Sequence, residues 1–182
     1  MPMSHTAVIS FGRINPPTIG HEKLVNKIND IAEVLDADPA VYLSHTQDSK
    51  RNPLPYLSKF FIASSAFGYP VKMSPANTIV KVMQDLESHY DNIVYVCGSD
   101  RVEEFEKLLH TYNGKDYNFK SIMVVSAGER DPDSDDVDGM SATKMRQAAK
   151  DGAIETFTSG LPDALKPMSS IIMNEVRTGL NV

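Results

Sequence analysis

The sequence predicts an α/β protein of the Rossmann-like, doubly wound kind, with a five-stranded parallel sheet, helices on both of its faces and a further helix at the C-terminus. Three observations predict it. Short β-branched runs alternate with longer segments of helical periodicity, the pattern of parallel strands joined by crossover helices. Polar, glycine-bearing stretches stand directly after strands, where open α/β sheets gather ligands. The 182 residues suffice for one core, and a content of 41% hydrophobic and 23% charged residues is that of an ordinary globular protein.

In chain order, Ala7-Val8-Ile9-Ser10-Phe11 reads as a buried first strand, and Leu24, Val25, Ile28, Ile31, Ala32 and Leu35 recur at helical spacing after it. Pro39 to Ser44 predicts the second strand, followed by the polar, proline-punctuated loop Gln47–Pro55. Tyr56 to Phe67 reads as a helix ending near Gly68, with Leu57, Phe60, Phe61 and Ala63 as its apolar face. Val71-Lys72-Met73 is a short strand, and Thr78 is a good N-cap for a helix from Ile79 to His89. Ile93 to Cys97 is a buried strand, Val102, Phe105, Leu108 and Leu109 mark a helix, and Ile122 to Val125 form the last strand. Helices over Ser141–Ala149 and Pro162–Val176 complete the chain. The stripe Leu161, Leu165, Met168, Ile172 and Val176 reads most simply as core, with a homo-oligomer interface as the alternative. No internal repeat or linker is visible, so one domain over 1–182 is expected, with a core at 7–150 and a helical part at 151–182.

The formal charge of −6 is concentrated. Residues 129–138 hold six acids and one base, a net of −5, which leaves −1 for the other 172. That balance argues against non-specific binding to nucleic acid. The acidic segment lacks the glycine turn and terminal Glu of a calcium loop, so a solvated loop is expected and no protein metal site. Neither an apolar leader nor a run of membrane-spanning length occurs, and a cytoplasmic, membrane-free setting is the default expectation. The one cysteine, Cys97, lies in an apolar run and reads as a small buried hydrophobe.

The stretch Phe11-Gly12-Arg13-Ile14-Asn15-Pro16-Pro17-Thr18-Ile19-Gly20-His21 joins the first strand to the first helix. Gly12 suits a tight turn and the two prolines an extended approach, while Gly20, lacking a Cβ, admits a ligand against the backbone. His21 falls in the first turn of a helix whose N–H groups and dipole favour an anion, so a phosphate site is expected here. Met140-Ser141-Ala142-Thr143-Lys144-Met145-Arg146 repeats that logic: an N-cap serine, a hydroxyl in the first turn, and an arginine able to grip an anion bidentately. Gly98-Ser99-Asp100 follows its strand directly, where glycine admits a ligand and Ser99 and Asp100 are able to cap the next helix.

Gly12-x-x-Asn15-Pro16-x-Thr18-x-Gly20-His21 resembles the first motif of the nucleotidyltransferase superfamily, in its T-x-G-H form, and Ser141-x-Thr143-x-x-Arg146 resembles the second, I-S-S-T-x-x-R. Met140 and Ala142 replace the commonest residues of the second motif. The resemblance covers most of 7–150 and implies transfer of a nucleotidyl group, with release of pyrophosphate, to a phosphate-bearing acceptor. It implies a nucleotide site made of Phe11, Gly12, Arg13, Asn15, Gly20, His21, Gly98, Ser99, Asp100, Ser141, Thr143 and Arg146. His21 and Thr18 would meet the α-phosphate and transition state, and Arg146, Ser141 and Thr143 the leaving pyrophosphate. Lys50, Arg51 and Lys59 would hold acceptor or triphosphate charge, and Mg²⁺ would arrive with the nucleoside triphosphate.

Asn15-Pro16, Gly98-Ser99-Asp100 and Thr143–Arg146 lean towards ATP and nicotinamide mononucleotide, since they look like the adenylyltransferases for that acceptor. Lys50-Arg51-Asn52-Pro53-Leu54 with Lys59 loosely resembles their K-x-x-L-x-x-x-x-R region. Those enzymes commonly stack nicotinamide on a tryptophan, which this chain lacks; Phe105 or Tyr112 would substitute. Pantetheine-phosphate adenylyltransferases and cytidylyltransferases are the alternatives, although the first carry Asp before the proline and the second prefer G-T-F-D and H-x-G-H. The string G-R-x-N-P-P-T-x-G-H is also similar to compact proteins of large tailed phages, which would place the chain in a host cytoplasm. A non-catalytic nucleotide-binding or assembly protein is the alternative from another class. Lys72-Met73-Ser74-Pro75 echoes the K-M-S-K-S loop of class I aminoacyl-tRNA synthetases, but it comes too early in too short a chain.

Overall fold

The computed structural model describes residues 5–128 and 140–182; the acidic segment 129–138 lies outside them. Among the described residues, five strands form one all-parallel sheet with helices around it: β1 (Thr6–Gly12), β2 (Asp38–Leu43), β3 (Val71–Lys72), β4 (Asn92–Cys97) and β5 (Ser121–Ser126). Their order is β3-β2-β1-β4-β5, so the winding reverses beside β1. The register runs Ala7↔Ile93 and Ile93↔Ile122 across the three strands β1, β4 and β5. The α/β, Rossmann-like architecture is thus the one that the alternation of strand and helix patterns implies.

The helices are α1 (Ile19–Leu35), α2 (Tyr56–Phe67), α3 (Ile79–Leu86), α4 (Val102–Tyr112), α5 (Ala142–Asp151), α6 (Ile154–Ser159) and α7 (Ser169–Leu180). None is long and apolar enough to cross a membrane, among the described residues. Most boundaries fall within a residue or two of the expected ones. Helix α3 stops at Leu86, three residues early, and α6 was not expected. The helix expected over 162–176 is two pieces. Residues Asp163–Met168 form a 3₁₀ segment, and Pro167, with no N–H to give and a ring that crowds the preceding turn, ends it before α7 begins.

The chain divides into two compact units. The first takes in 5–11, Leu24–Tyr42 and 72–128. Its core joins Ile9, Val82, Met83, Leu86, Ile93, Tyr95 and Leu109. Cys97 is buried there as read, and burial pushes its thiol up to about 11, so it is a packing residue.

The second unit takes in Gly12–Lys23, Leu43–Val71 and 140–182. Its core gathers Leu54, Met145, Ala148, Phe157, Leu161, Leu165, Ile172 and Val176, with Met168 packed against them. The C-terminal apolar stripe is therefore core. Helix α2 keeps Ala63 inward as expected but is otherwise turned: Lys59 points inward beside it, whereas Leu57 and Phe61 are 57% and 62% exposed. A lysine on the inward face hid the true phase of that helix from a reading based on apolar spacing.

Candidate phosphate site

The connection after β1 is built by a reciprocal cap. Thr18 Oγ1 accepts from the His21 amide at 3.3 Å, and the Thr18 amide donates to His21 Nδ1 at 3.0 Å. This is the arrangement of a capping box with histidine in the place usually taken by Glu or Gln. It also fixes the ring's chemistry. Because Nδ1 accepts, the proton of the neutral imidazole is on Nε2, which makes that nitrogen the donor edge. A Cβ on Gly20 would meet only Thr18 Oγ1, at an ordinary 3.5 Å, so protein packing does not require glycine there. The tight turn expected at Gly12 lies elsewhere. Ile14 is the left-handed residue, at φ 44°, and the Asn15–Pro16 peptide is cis in place of an extended approach. A β-branched residue in that region is strained, and here the strain sits inside the candidate site.

Ser141 caps α5, its hydroxyl accepting from the Lys144 amide at 3.2 Å. Arg146, one turn further, donates from Nη1 to the Asn15 carbonyl at 3.0 Å and from Nη2 to Thr143 Oγ1 at 3.2 Å. Thr18, His21, Ser141, Thr143 and Arg146 thus belong to one unit, as do Gly12, Arg13, Asn15, Gly20, Lys50, Arg51 and Lys59. Burial lowers the Arg146 pKa, and the neighbouring guanidiniums of Arg13 and Arg51 lower it further, against a smaller opposing pull from the Asp48 carboxylate. Among the described residues no ion pair joins Arg13, Arg51, Lys59 or Arg146 to a carboxylate. The site therefore has positive groups that repel one another, together with helix N-termini, and an anion relieves both.

The Lys50–Arg51 loop is organised by Asp48, which sequence reasoning missed. Its Oδ1 accepts from the amides of Lys50, Arg51 and Asn52 at 2.9, 2.7 and 3.2 Å, and its Oδ2 from the Asn52 side chain at 2.8 Å. These bonds, led by that of Asn52, hold the carboxyl well below its ordinary range. Its carboxylate is engaged by this loop's amides and the Asn52 side chain and also acts on Arg146, while the Lys50 and Arg51 side chains are exposed. An Asp four residues before an Asn, across two bases, was the available signal. Asn52 Oδ1 is buried with no partner among the described residues. His45 and Tyr56, also missed, stack at 3.8 Å beside this loop.

Lys59 is wholly buried, its Nζ donating to the Ser44 carbonyl at 2.7 Å and to the Ser44 hydroxyl at 3.2 Å. Burial, helped by Arg13, pushes its pKa down to about 8. The cost of that buried charge is present in full below about pH 8 and fades as pH rises towards the ordinary 10.5. Across that window the unfolded chain binds more protons, so stability rises with pH. Denaturant unfolding of wild type and Lys59→Met should therefore give stabilities whose difference moves by about 3 kcal/mol in favour of wild type between those limits. A constant difference would contradict the buried-charge reading.

Phe11, Gly98, Ser99, Asp100 and Phe105 belong to the other unit. The Phe11 amide and carbonyl both bond to the Tyr95 hydroxyl, at 3.3 and 3.1 Å. Ser99 and Asp100 lie in a 3₁₀ turn, Ser99–Arg101, and neither caps α4, whose N-cap is Arg101 without a side-chain bond. A Cβ on Gly98 would come within 2.8 Å of Asp100 Oδ1, the movable end of a side chain, so packing alone does not demand glycine there. The Phe105 ring lies 4.6 Å from that of Tyr95 and 4.9 Å from the Arg101 guanidinium. It is packed against the core of its unit.

No protein-family model matches this chain, and no curated protein matches it. Among solved structures it is similar to the crystal structure of TmcAL from Thermotoga maritima, apo form I, with a TM-score of 0.57 and 15% identity. The match covers 97% of this chain and 57% of that one, so the chain spans little more than half of that protein's length. At this identity the likeness speaks to the fold alone, and it is to an α/β, Rossmann-like fold that the chain is matched.

Proposed function

We propose that the chain is a nucleotidyltransferase, moving a nucleotidyl group, adenylyl from ATP foremost, to a phosphate-bearing acceptor such as nicotinamide mononucleotide. The observation that carries this reading is the Arg146 guanidinium, braced by Asn15 and Thr143 and repelled by Arg13 and Arg51, in the same unit as the Thr18–His21 cap. That array suits a polyphosphate. It holds charge and hydrogen-bond donors, and in-line transfer to phosphorus needs little else from a protein.

In this reading an acceptor phosphate oxygen attacks the α-phosphorus, and the bond to the bridging oxygen of the β-phosphate breaks as pyrophosphate leaves. His21 Nε2–H donates to a non-bridging α-oxygen as charge grows there. Arg146, with Ser141 and Thr143 at the N-terminus of α5, receives the departing pyrophosphate. Arg13, Lys50 and Arg51 hold remaining charge of nucleotide or acceptor. Mg²⁺ accompanies the triphosphate, which it would neutralise in part. Lys59 acts from beneath, since its ammonium is already bonded to Ser44.

The test is pyrophosphate release with Mg²⁺ and each ribonucleoside triphosphate, against nicotinamide mononucleotide, 4′-phosphopantetheine and glycerol 3-phosphate. Release with ATP and nicotinamide mononucleotide is the expected result. Release with CTP alone would move the chain to cytidylyl transfer, and release with ATP and phosphopantetheine to the second adenylyl acceptor. Silence of every pair, with ATP still bound, would replace the enzyme by a nucleotide-binding module.

A further inference from the structure

Two residues converge on the segment that follows Arg51: Asn15, from the expected nucleotide loop, and Gly179, which has no expected part in anion binding. Asn15 is 1% exposed and pairs both ends of its amide with the backbone of Leu54: Nδ2 donates to the Leu54 carbonyl at 3.3 Å, and Oδ1 accepts from the Leu54 amide at 3.0 Å. The Asn15 main chain accepts from Arg146 at the same time. Opposite the preceding residue stands Gly179, inside α7. A Cβ there would come within 2.0 Å of the Pro53 carbonyl oxygen and 2.8 Å of Pro53 Cα, both of them backbone atoms that cannot swing away. Gly179 lies in a helix, where alanine is the better residue, so close approach explains the glycine.

We propose that Gly179 and Asn15 are positioning residues that grip Pro53–Leu54 from two sides and so set where Arg51 and Lys50 stand relative to Arg146. The inference deepens the proposed function and rests on it for the identity of the anion. The grip reaches Arg51 through a short path. Leu54 and Pro53 are buried, the Asn52 carbonyl accepts from Asp48 at 2.9 Å, and the Asp48 carboxylate holds the amides of Lys50 and Arg51. The C-terminal helix, which carries no group suited to phosphate at this point, thereby becomes part of the site.

The test is a mutant cycle read by calorimetric titration with inorganic tripolyphosphate. In wild type, Arg51→Ala should weaken binding about ten- to hundredfold, the usual effect of losing a charge-assisted bond. In the Gly179→Ala background the same change should have little further effect, because Arg51 is already displaced. Thr178→Ala, on the exposed neighbour, should leave binding unchanged. Additive effects of Gly179→Ala and Arg51→Ala would overturn the proposal, since general loosening of α7 does not cancel the contribution of Arg51. Asn15→Leu enters the same cycle from the other side of Leu54 and decides the matter should Gly179→Ala not fold. If wild type binds no tripolyphosphate, the proposed function fails, and amide exchange at residues 50–52 then judges the grip alone. Faster exchange in Gly179→Ala supports it, and unchanged exchange overturns it.

Discussion

His21→Gln should fold as stably as wild type and lose turnover about 10²–10³-fold, the usual effect of removing one donor aimed at developing charge. The variant separates two duties that His21 performs at once. Its Nδ1 accepts from the Thr18 amide and closes the cap of α1, and its Nε2 carries the proton that a phosphate oxygen would receive. Glutamine at that third helical position also reaches back to the cap residue's amide, so the cap survives while the imidazole donor is gone. His21→Ala removes both, and should lose about 1 kcal/mol of stability in addition to the same loss of turnover. Wild-type turnover in His21→Gln, measured as pyrophosphate release beside a denaturation curve, would remove His21 from the chemistry.

Arg146→Ala is the second large effect. Its guanidinium is half-buried, bonded to the Asn15 carbonyl and Thr143, and faces Arg13 and Arg51; the Asp48 carboxylate acts on it in the opposite sense, but among the described residues it has no ion pair. Loss of the side chain should lower kcat/KM about 10²–10³-fold. Stability should change by no more than about 1 kcal/mol, because the lost bond to Asn15 is offset by relief of repulsion among the guanidiniums. Arg146→Lys should recover only part of the rate, since an ammonium supplies the charge without the planar fork that spans two anion oxygens. A fall in stability that accounts for the whole loss of activity would make Arg146 structural.

The parts of this molecule that were legible in its sequence share one property: a local rule decides them. Pro55 and Gly68 punctuate α2 at Tyr56–Phe67, Ser141 caps α5, and the alternation of β-branched runs with helical periods gives the parallel sheet. Features set by distant packing were not legible. Lys59 looks like a surface base until Ser44 is seen to receive its ammonium in the interior. Asn15 reads as part of a nucleotide loop, although its amide is spent on Leu54, thirty-nine positions away. The C-terminal stripe reads as a single amphipathic helix, whereas Pro167 splits it, and the carbonyl of Gly160, just before it, accepts from the first amide of α1. Burial of charge and close approach of backbone leave no period in a sequence.

The fate of the nucleotide's phosphorus atoms separates nucleotidyl transfer from every alternative. The direct measurement incubates the protein with Mg²⁺, nicotinamide mononucleotide and ATP labelled in parallel at the α- and γ-phosphorus, and follows both labels by chromatography and mass. The α-label should appear in a dinucleotide and the γ-label in pyrophosphate, in equal amounts, with both transfers slowed about 10²–10³-fold in His21→Gln. A γ-label released as orthophosphate, with the α-label left in ADP, would contradict nucleotidyl transfer.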